Sequence, residues 1–392
     1  MMADTWPIPD ETQRLAWLRL IRTPRIGPAT FRDLINRYGS AQAALDALPE
    51  MTARRGRPIK PIDISVVERE MADAERLGAR FVVVGEKDYP PLLTKIDHPP
   101  PVLCLLAQAF DGSSRPAVGL VGSRNASAGG VTLAKQMAQE LGEADFLVIS
   151  GLARGMDAAA HTGALKTGTI AFTAGGLARP YPPEHGELMK AIVAQGGAIY
   201  SEMPIEWTAR AQDFPRRNRL VAASGLGLVV VEAAKRSGSL ITANQAAEMG
   251  RLVMAVPGFP LDPRSAGPNR LIRDGATLVR DAKDVLDELA PILKGTAVSS
   301  GQEEPNLFGQ TPYRLEEGER SFERDGIPQD VDERLAQAMT YSPIAADDLI
   351  AATGIATGTV RAWLLENELA DRLVRSQGDR FAWNPDTQRT SE

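Results

Sequence analysis

Between residues 81 and 289, short apolar runs alternate with stretches of helical length, and this alternation constrains the fold more than any other feature of the chain. The runs fall at 81–84, 117–121, 146–149, 169–173, 198–200, 227–231 and 252–256. Several are apolar throughout, as a strand must be when neither of its faces meets water. The stretches between them, such as 131–141 and 156–165, are long enough for helices. Strand–helix–strand units of this kind cross over in one hand and set their strands in parallel. The expected fold class is therefore α/β, a doubly wound, Rossmann-like parallel sheet flanked by a smaller module at each end.

Upstream, residues 10–21 have helical apolar spacing (Leu15, Leu18, Ile21), broken at Arg25-Ile26-Gly27-Pro28. A second helix follows through Phe31, Leu34 and Ile35, and Ser40 is placed to cap a third. The Ile-Gly-Pro turn looks like a helix-hairpin-helix, whose glycine lets backbone amides approach a phosphate. A plain helical corner also accounts for it, with Gly in the turn and Pro starting the next helix. Residues 53–61, rich in Arg and Pro, read as a linker, and so do 294–329, rich in Gly, Pro, Ser and Glu. The chain then offers a helix at 346–352, a turn at Thr353-Gly354, a second helix at 356–369 and a two-stranded wing at 373–383 around Gln377-Gly378-Asp379. That is the order of a winged helix. The expected domains are a helical one at 1–55, the extended Rossmann-like one at 56–293, an acidic linker at 294–328 and the winged helix at 329–392.

A chain of 392 residues is long enough for such a division, and 43% hydrophobic with 24% charged residues reads as soluble and globular. No apolar run approaches the roughly 18 residues that span a bilayer. Residues 1–10 lack the basic start and apolar stretch of a secretory leader. The single cysteine, Cys104, excludes an internal disulfide framework and suits a reducing cytoplasm. The net charge of −6 argues against a polyanionic partner only until its distribution is seen. Ten acidic and four basic residues lie within 303–334, which accounts for the whole excess. Between 210 and 251 seven basic residues face three acidic ones, so a basic patch is compatible with an acidic chain.

In doubly wound sheets, ligands bind outside the carboxyl ends of the strands. The loops leaving this sheet at that edge read Gly122-Ser123-Arg124-Asn125, Ser150-Gly151-Leu152-Ala153-Arg154-Gly155-Met156-Asp157, Ala174-Gly175-Gly176 and Lys235-Arg236-Ser237-Gly238-Ser239. Glycine lets backbone amides converge on an anion, serine donates hydrogen bonds, and a following helix N-terminus adds positive potential. Arginine adds a forked donor matched to phosphate oxygens. One such loop is explained by a tight strand–helix turn; four at one edge point to a phosphate site.

The kind of phosphate compound is narrowed by what is missing. There is no Gly-x-x-x-x-Gly-Lys-Ser/Thr, and the first sheet loop is not Gly-x-Gly-x-x-Gly, so neither ATP hydrolysis nor dinucleotide redox is supported and no cofactor is expected. His98, His161 and His185 have no metal spacing and no cysteine companions, and His161, beside three alanines, reads as a packing residue. No nucleophile elbow is present, and no catalytic residue is assigned. The remaining basic feature is Phe214-Pro215-Arg216-Arg217-Asn218-Arg219, leading into an apolar helix at 220–223. Read as a solvated helix face it does nothing further. Read as part of the site, it extends the anion surface beyond one phosphate's reach, which suits a polymer backbone better than a mononucleotide.

Taken in order, these residues resemble the DprA/Smf family of DNA-processing proteins. The resemblance runs through Tyr89-Pro90-Pro91-Leu92-Leu93, Val121-Gly122-Ser123-Arg124, the Ser150 to Asp157 loop with His161, and Phe214 to Arg219. It continues through Ser237-Gly238-Ser239-Leu240-Ile241-Thr242-Ala243, Val256-Pro257-Gly258, and Gly267-Pro268-Asn269 with Asp274-Gly275-Ala276. It covers about residues 80–290, and the flanks are similar to a sterile-alpha-motif-like helical domain and a winged helix. The resemblance implies a non-catalytic, cytoplasmic protein that coats incoming single-stranded DNA during natural transformation, shields it from nucleases and helps load RecA recombinase. It further implies a homodimer formed through the Rossmann-like domain. It assigns phosphate contacts to Arg124, the loop from Ser150 to Gly155, the arginines 216, 217 and 219, and the loop from Ser237 to Ser239. Lys235 lies beside the last of these.

Two rival readings differ in class. A nucleotide phosphoribohydrolase-like enzyme has a similar sheet but shows Gly-Gly-x-Gly-Thr-x-x-Glu, where this chain has Arg236-Ser237-Gly238-Ser239-Leu240-Ile241-Thr242 without the acid. A double-stranded DNA regulator acting through the winged helix needs a basic reading helix, whereas residues 342–386 hold seven acidic and four basic side chains. The winged helix is therefore expected to pack on a protein partner or to have little autonomous role.

Overall fold

The computed structural model describes residues 9–53, 58–108, 110, 114–298, 329–340, 342–376 and 378–385. Most of the linker expected at 294–328 lies outside them, although the last helix of the sheet region continues to Val298.

Three helices open the chain, α1 (Glu11–Arg22), α2 (Pro28–Tyr38) and α3 (Ala41–Ala53). Pro28 begins α2 where its missing N–H costs nothing. Gly39, at φ 77, ends it by donating its N–H to the Ile35 carbonyl. The Ser40 hydroxyl accepts from the Ala43 N–H at 3.2 Å and so caps α3. In the α1–α2 turn the left-handed residue is Arg25 (φ 68), whereas Gly27 is extended at φ −98.

The sheet region follows, with α4 (Ile64–Arg76), β1 (Ala79–Val83), β2 (Val102–Leu106), β3 (Ala117–Val121), α5 (Ala128–Glu143), β4 (Leu147–Ser150), α6 (Met156–Gly163), β5 (Thr169–Thr173), α7 (Gly186–Ala194) and β6 (Ala198–Ser201). After these come α8 (Asp213–Ser224), β7 (Gly227–Val230), α9 (Gly238–Glu248), β8 (Leu252–Ala255), α10 (Ala266–Arg273), β9 (Thr277–Leu278) and α11 (Ala282–Val298). The nine strands lie in the order β1-β2-β6-β5-β4-β3-β7-β8-β9. From β6 to β9 every pairing is parallel, while β2 runs antiparallel to both β6 and β1. The sheet is thus mostly parallel, with an antiparallel strand near one edge.

One face of the sheet is covered by α5, α6 and α11, whose Ala134, Met137, Leu141, Ala160, Val285 and Leu289 bury against Val118, Val148 and Val229. The stretches 246–256 and 278–289 contribute Ala246, Met254, Ala255, Val279, Ala282, Val285 and Leu289 to the interior. These side chains are core, while Leu278 in the second stretch is 46% exposed.

The winged helix consists of α12 (Gln329–Ala338), β10 (Ile344–Ala345), α13 (Ala346–Thr353), α14 (Thr357–Leu369), β11 (Leu373–Ser376) and β12 (Arg380–Trp383). Its strands pair antiparallel in the order β10-β12-β11. Gly354 turns α13 into α14 in the left-handed conformation, and Trp363 and Phe381 fill the core. By compactness the chain divides into two units, one of residues 1–15 with 64–302, the other of 16–63 with 303–392. The helical and winged-helix modules, expected from sequence as separate domains, share the second unit.

Candidate nucleic-acid interface

From β3 the chain winds outward through β4, β5 and β6, then returns to β7 on the other side of β3. The strand order therefore reverses between β3 and β7, and a crevice opens where their carboxyl-end loops part. All four loops picked out by composition leave adjacent strands at that edge, in the order β5, β4, β3 and β7.

The crevice is occupied by the protein itself. Glu232, just beyond β7, accepts from the Ser127 N–H at 2.9 Å and from its hydroxyl at 2.5 Å. Ser127 caps α5 by accepting from the Gly130 N–H. A carboxylate thus sits at the α5 N-terminus, where doubly wound nucleotide-binding folds place a diphosphate. Gly122 is packed beneath Met156 and the Glu232 carbonyl, and Ser123 accepts the Met156 N–H on its carbonyl at 3.1 Å. Arg124 and Asn125 remain exposed at the tip of the β3 loop.

The β4 loop is built over buried polar groups. Ser150 donates to the Leu120 carbonyl, and the Ala153 N–H donates to Asp157. Gly155, at φ 73, turns the chain into α6. Arg154 points outward and pairs with Glu184 on the surface. Gly151 is a glycine of necessity, since a Cβ there would lie 1.3 Å from Arg217 Nη1. Gly151→Ala is expected to cost about 1–3 kcal/mol through this overlap, read as a shift in the urea midpoint. An unshifted midpoint would mean that Arg217 can leave its seat freely.

The arginine row does not stand in solvent as a continuous surface. Arg217 is only 6% exposed, with Nη1 at 3.4 Å from the Phe172 carbonyl and 3.9 Å from Asp157. Burial lowers its pKa to about 10, opposed by Asp157 and reinforced by nearby Arg124. Burial also pushes the Asp157 carboxyl up, against the pull of Arg217 and backbone hydrogen bonds. Arg219 and Arg216 both turn to Glu202, at 2.6 and 3.1 Å. Burial would raise the Glu202 carboxyl, but the two guanidiniums hold it below its ordinary range. The reason is helical geometry: Arg217 shares the inward face of α8 with Leu220, Val221 and Ser224, at the i, i+3, i+4 and i+7 positions. Asn218 reaches the Gly238 carbonyl at 3.4 Å. His161 is buried against Thr169 at 2.7 Å, and burial, then Arg217 and His185, lowers its pKa to about 3.

On the β7 loop Ser237 caps α9, accepting from the Ser239 N–H, and the two hydroxyls lie 2.7 Å apart. Ser239 is buried, while Lys235, Arg236 and Gly238 are exposed. The exposed cations at this edge are joined by aromatic rings that charge-based reading passed over. The Arg124 guanidinium stacks over Phe214 at 4.9 Å, and Phe214 meets Tyr181 edge-on at 5.4 Å. Arg210 lies over Trp207 at 4.4 Å. Alternating cations and rings can hold phosphates and stacked bases along one strand. Among the described residues no group of His, Cys, Asp and Glu is placed to hold a metal ion.

Comparison with known proteins agrees along the chain. The profile of DNA recombination-mediator protein A matches residues 80–290, that of the DprA-like N-terminal HHH domain residues 11–73, and that of the DprA winged helix domain residues 325–379. Protein Smf of Synechocystis sp. is 30% identical over 396 residues, covering 94% of this chain and 98% of that protein. DNA processing protein DprA of Bacillus subtilis is 36% identical over 223 residues, 56% of this chain and 75% of that one. The structure of DNA processing protein A from Streptococcus pneumoniae superposes with a TM-score of 0.59 at 27% identity, over 72% of this chain and 99% of that one. The order of modules, the motifs along the sheet edge and a match over nearly the full length together make this chain a member of the DprA/Smf family.

Proposed function

We propose that this chain is a DNA-processing protein that binds single-stranded DNA along the carboxyl edge of its sheet. In this reading it acts as a cytoplasmic homodimer, without catalysing a reaction, to shield incoming strands and help load RecA recombinase in natural transformation. Membership of a family that includes the DNA processing protein DprA of Bacillus subtilis supports the setting. Among the described residues no helix is long and apolar enough to cross a membrane.

The observation that carries the strand assignment is that Glu232 fills the crevice while Arg124, Arg154, Lys235 and Arg236 stand exposed around it. A nucleotide finds its berth taken, but a flexible backbone can pass over the edge from cation to cation, its bases meeting Phe214 and Tyr181. The site residues we assign are Gly122, Ser123, Arg124, Asn125, Ser150, Gly151, Arg154, Gly155, Arg216, Asn218, Lys235, Ser237, Gly238 and Ser239, with Arg217 and Arg219 supporting them from beneath. Titration with labelled single and double strands is expected to show much tighter single-strand binding and little sequence preference, with no nucleotide hydrolysis. Arg124→Ala should weaken different sequences alike and reduce the salt slope by about 1. Equal affinity for both forms of DNA, or an altered base preference with the slope intact, would overturn the assignment.

A further inference from the structure

The two modules of the second unit carry opposite charge. Residues 16–63 contain nine basic and four acidic side chains, and 329–386 contain ten acidic and five basic. Where they meet, the turn leaving α14 lies on the hairpin turn between α1 and α2. Arg25 Nη1 donates to the Leu369 carbonyl at 3.0 Å, and Nη2 pairs with Asp371 at 3.3 Å. Arg37 pairs with Glu366 at 3.2 Å. In the opposite sense, Arg375 pairs with Asp33 at 2.5 Å and with Glu368 at 3.1 Å.

This contact engages the C-terminal half of α14 and the turn that follows it. Trp363 and Leu364 fill the winged helix's own core and Leu365, Glu366 and Asn367 are also buried, while Thr357, Gly358, Thr359 and Arg361 at the start of α14 are not. On the other side lies the hairpin, whose Gly27 is required neither by its backbone angles nor by packing, since an added Cβ would meet nothing within 4 Å. Asp371 meets Arg25 of the hairpin, and Glu366 meets Arg37 in the last turn of α2, as phosphates of a polyanion would.

We propose that the hairpin at 25–28, with Arg25 and Arg37, is a second binding site for nucleic-acid phosphates, and that the acidic winged helix caps it as a built-in substitute for the polyanion. The cap is held on the same chain and competes at high effective concentration, so the site stays silent until the cap's charge is removed. Cap and DNA exclude each other there, and each contact weakens with salt.

Amide hydrogen exchange on the full chain tests this, with and without a short duplex at low salt. A duplex is the probe because the sheet edge is assigned to single strands. The readout is local to residues 23–31, so failure at the sheet edge leaves it intact. Asp371→Asn keeps a residue that tolerates the left-handed turn at 371 and removes its charge; Asp371→Lys reverses the charge. Both should quicken exchange across 363–369, the second more strongly. In Asp371→Lys the duplex should slow exchange at 23–31 on the order of 10-fold, with a smaller effect in the parent. Arg25→Glu in the same background should abolish that protection. If neither variant loosens 363–369, or if the duplex leaves 23–31 unchanged in Asp371→Lys, the cap and its site are refuted.

Discussion

A chain carrying Phe259→Glu and Leu261→Glu is expected to scatter light as one 42.2 kDa copy, where the parent gives about twice that mass. The same variant should bind long single strands on the order of 100-fold more weakly. Phe259 and Leu261 are 68% and 82% exposed, a large apolar surface for a loop in water. They follow β8 at the outer end of the sheet, where Ala255 pairs with half-exposed Leu278 of β9. The flanking stretches turn Ala246, Met254, Ala255, Val279, Val285 and Leu289 into the core, which leaves Phe259, Leu261 and Leu278 exposed at this end of the sheet to meet a second copy. On the proposed site, one sheet edge would offer a few weak, salt-screened phosphate contacts. A second edge on the same particle makes the next contact intramolecular, and affinity rises without any new kind of interaction. A folded monomer that binds as tightly as the parent would remove the dimer from the mechanism.

Arg219→Met is expected to lower stability by roughly 3 kcal/mol, because it strips a buried carboxylate of its main partner. Glu202 is 4% exposed, held by Arg219 at 2.6 Å and by the more exposed Arg216 at 3.1 Å. Without Arg219 the carboxylate keeps the weaker, more exposed Arg216 pair but loses its closer one, and the His98 carbonyl also loses a donor at 3.3 Å. Adding Glu202→Leu should restore much of the loss, since the uncompensated charge is then gone. A pH dependence follows from the same pair. The folded carboxyl lies below its ordinary range, so its contribution is complete above the unfolded value of about 4.3 and is lost as pH falls through the folded value. The parent should therefore lose stability in acid more steeply than the double variant. Were Arg219→Met to leave the urea midpoint unchanged yet weaken DNA binding, Arg219 would be a strand contact.

The sheet was legible because burial on both faces leaves an unbroken apolar run, as at Ala117–Val121 and Thr169–Thr173, where reading and structure coincide. Two strands escaped it. Val102–Leu106 is as apolar as the others, but it follows a run of prolines and pairs antiparallel, outside the repeating unit. Thr277–Leu278 has two residues and no periodicity to detect. At the site, loop composition located the edge but could not tell outward from inward charge. The spacing of Arg217, Leu220, Val221 and Ser224 carried that signal, and helical phase would have placed Arg217 inside. The partner of Arg219 and Arg216 could not be foreseen, because Glu202 lies on the far side of a loop. Likewise, no local pattern announces that Asp371 will meet Arg25.

That meeting makes the second unit a discontinuous domain, with the sheet as an insertion between its halves. Truncation has to be weighed accordingly. Cutting the chain after residue 294 removes more than a terminal appendage, because it exposes the hairpin face and leaves Arg25, Arg37 and Asp33 without their counter-charges. Conversely, a protease nick inside the insertion would not free the winged helix, which would stay tied to the opening helices through these ion pairs.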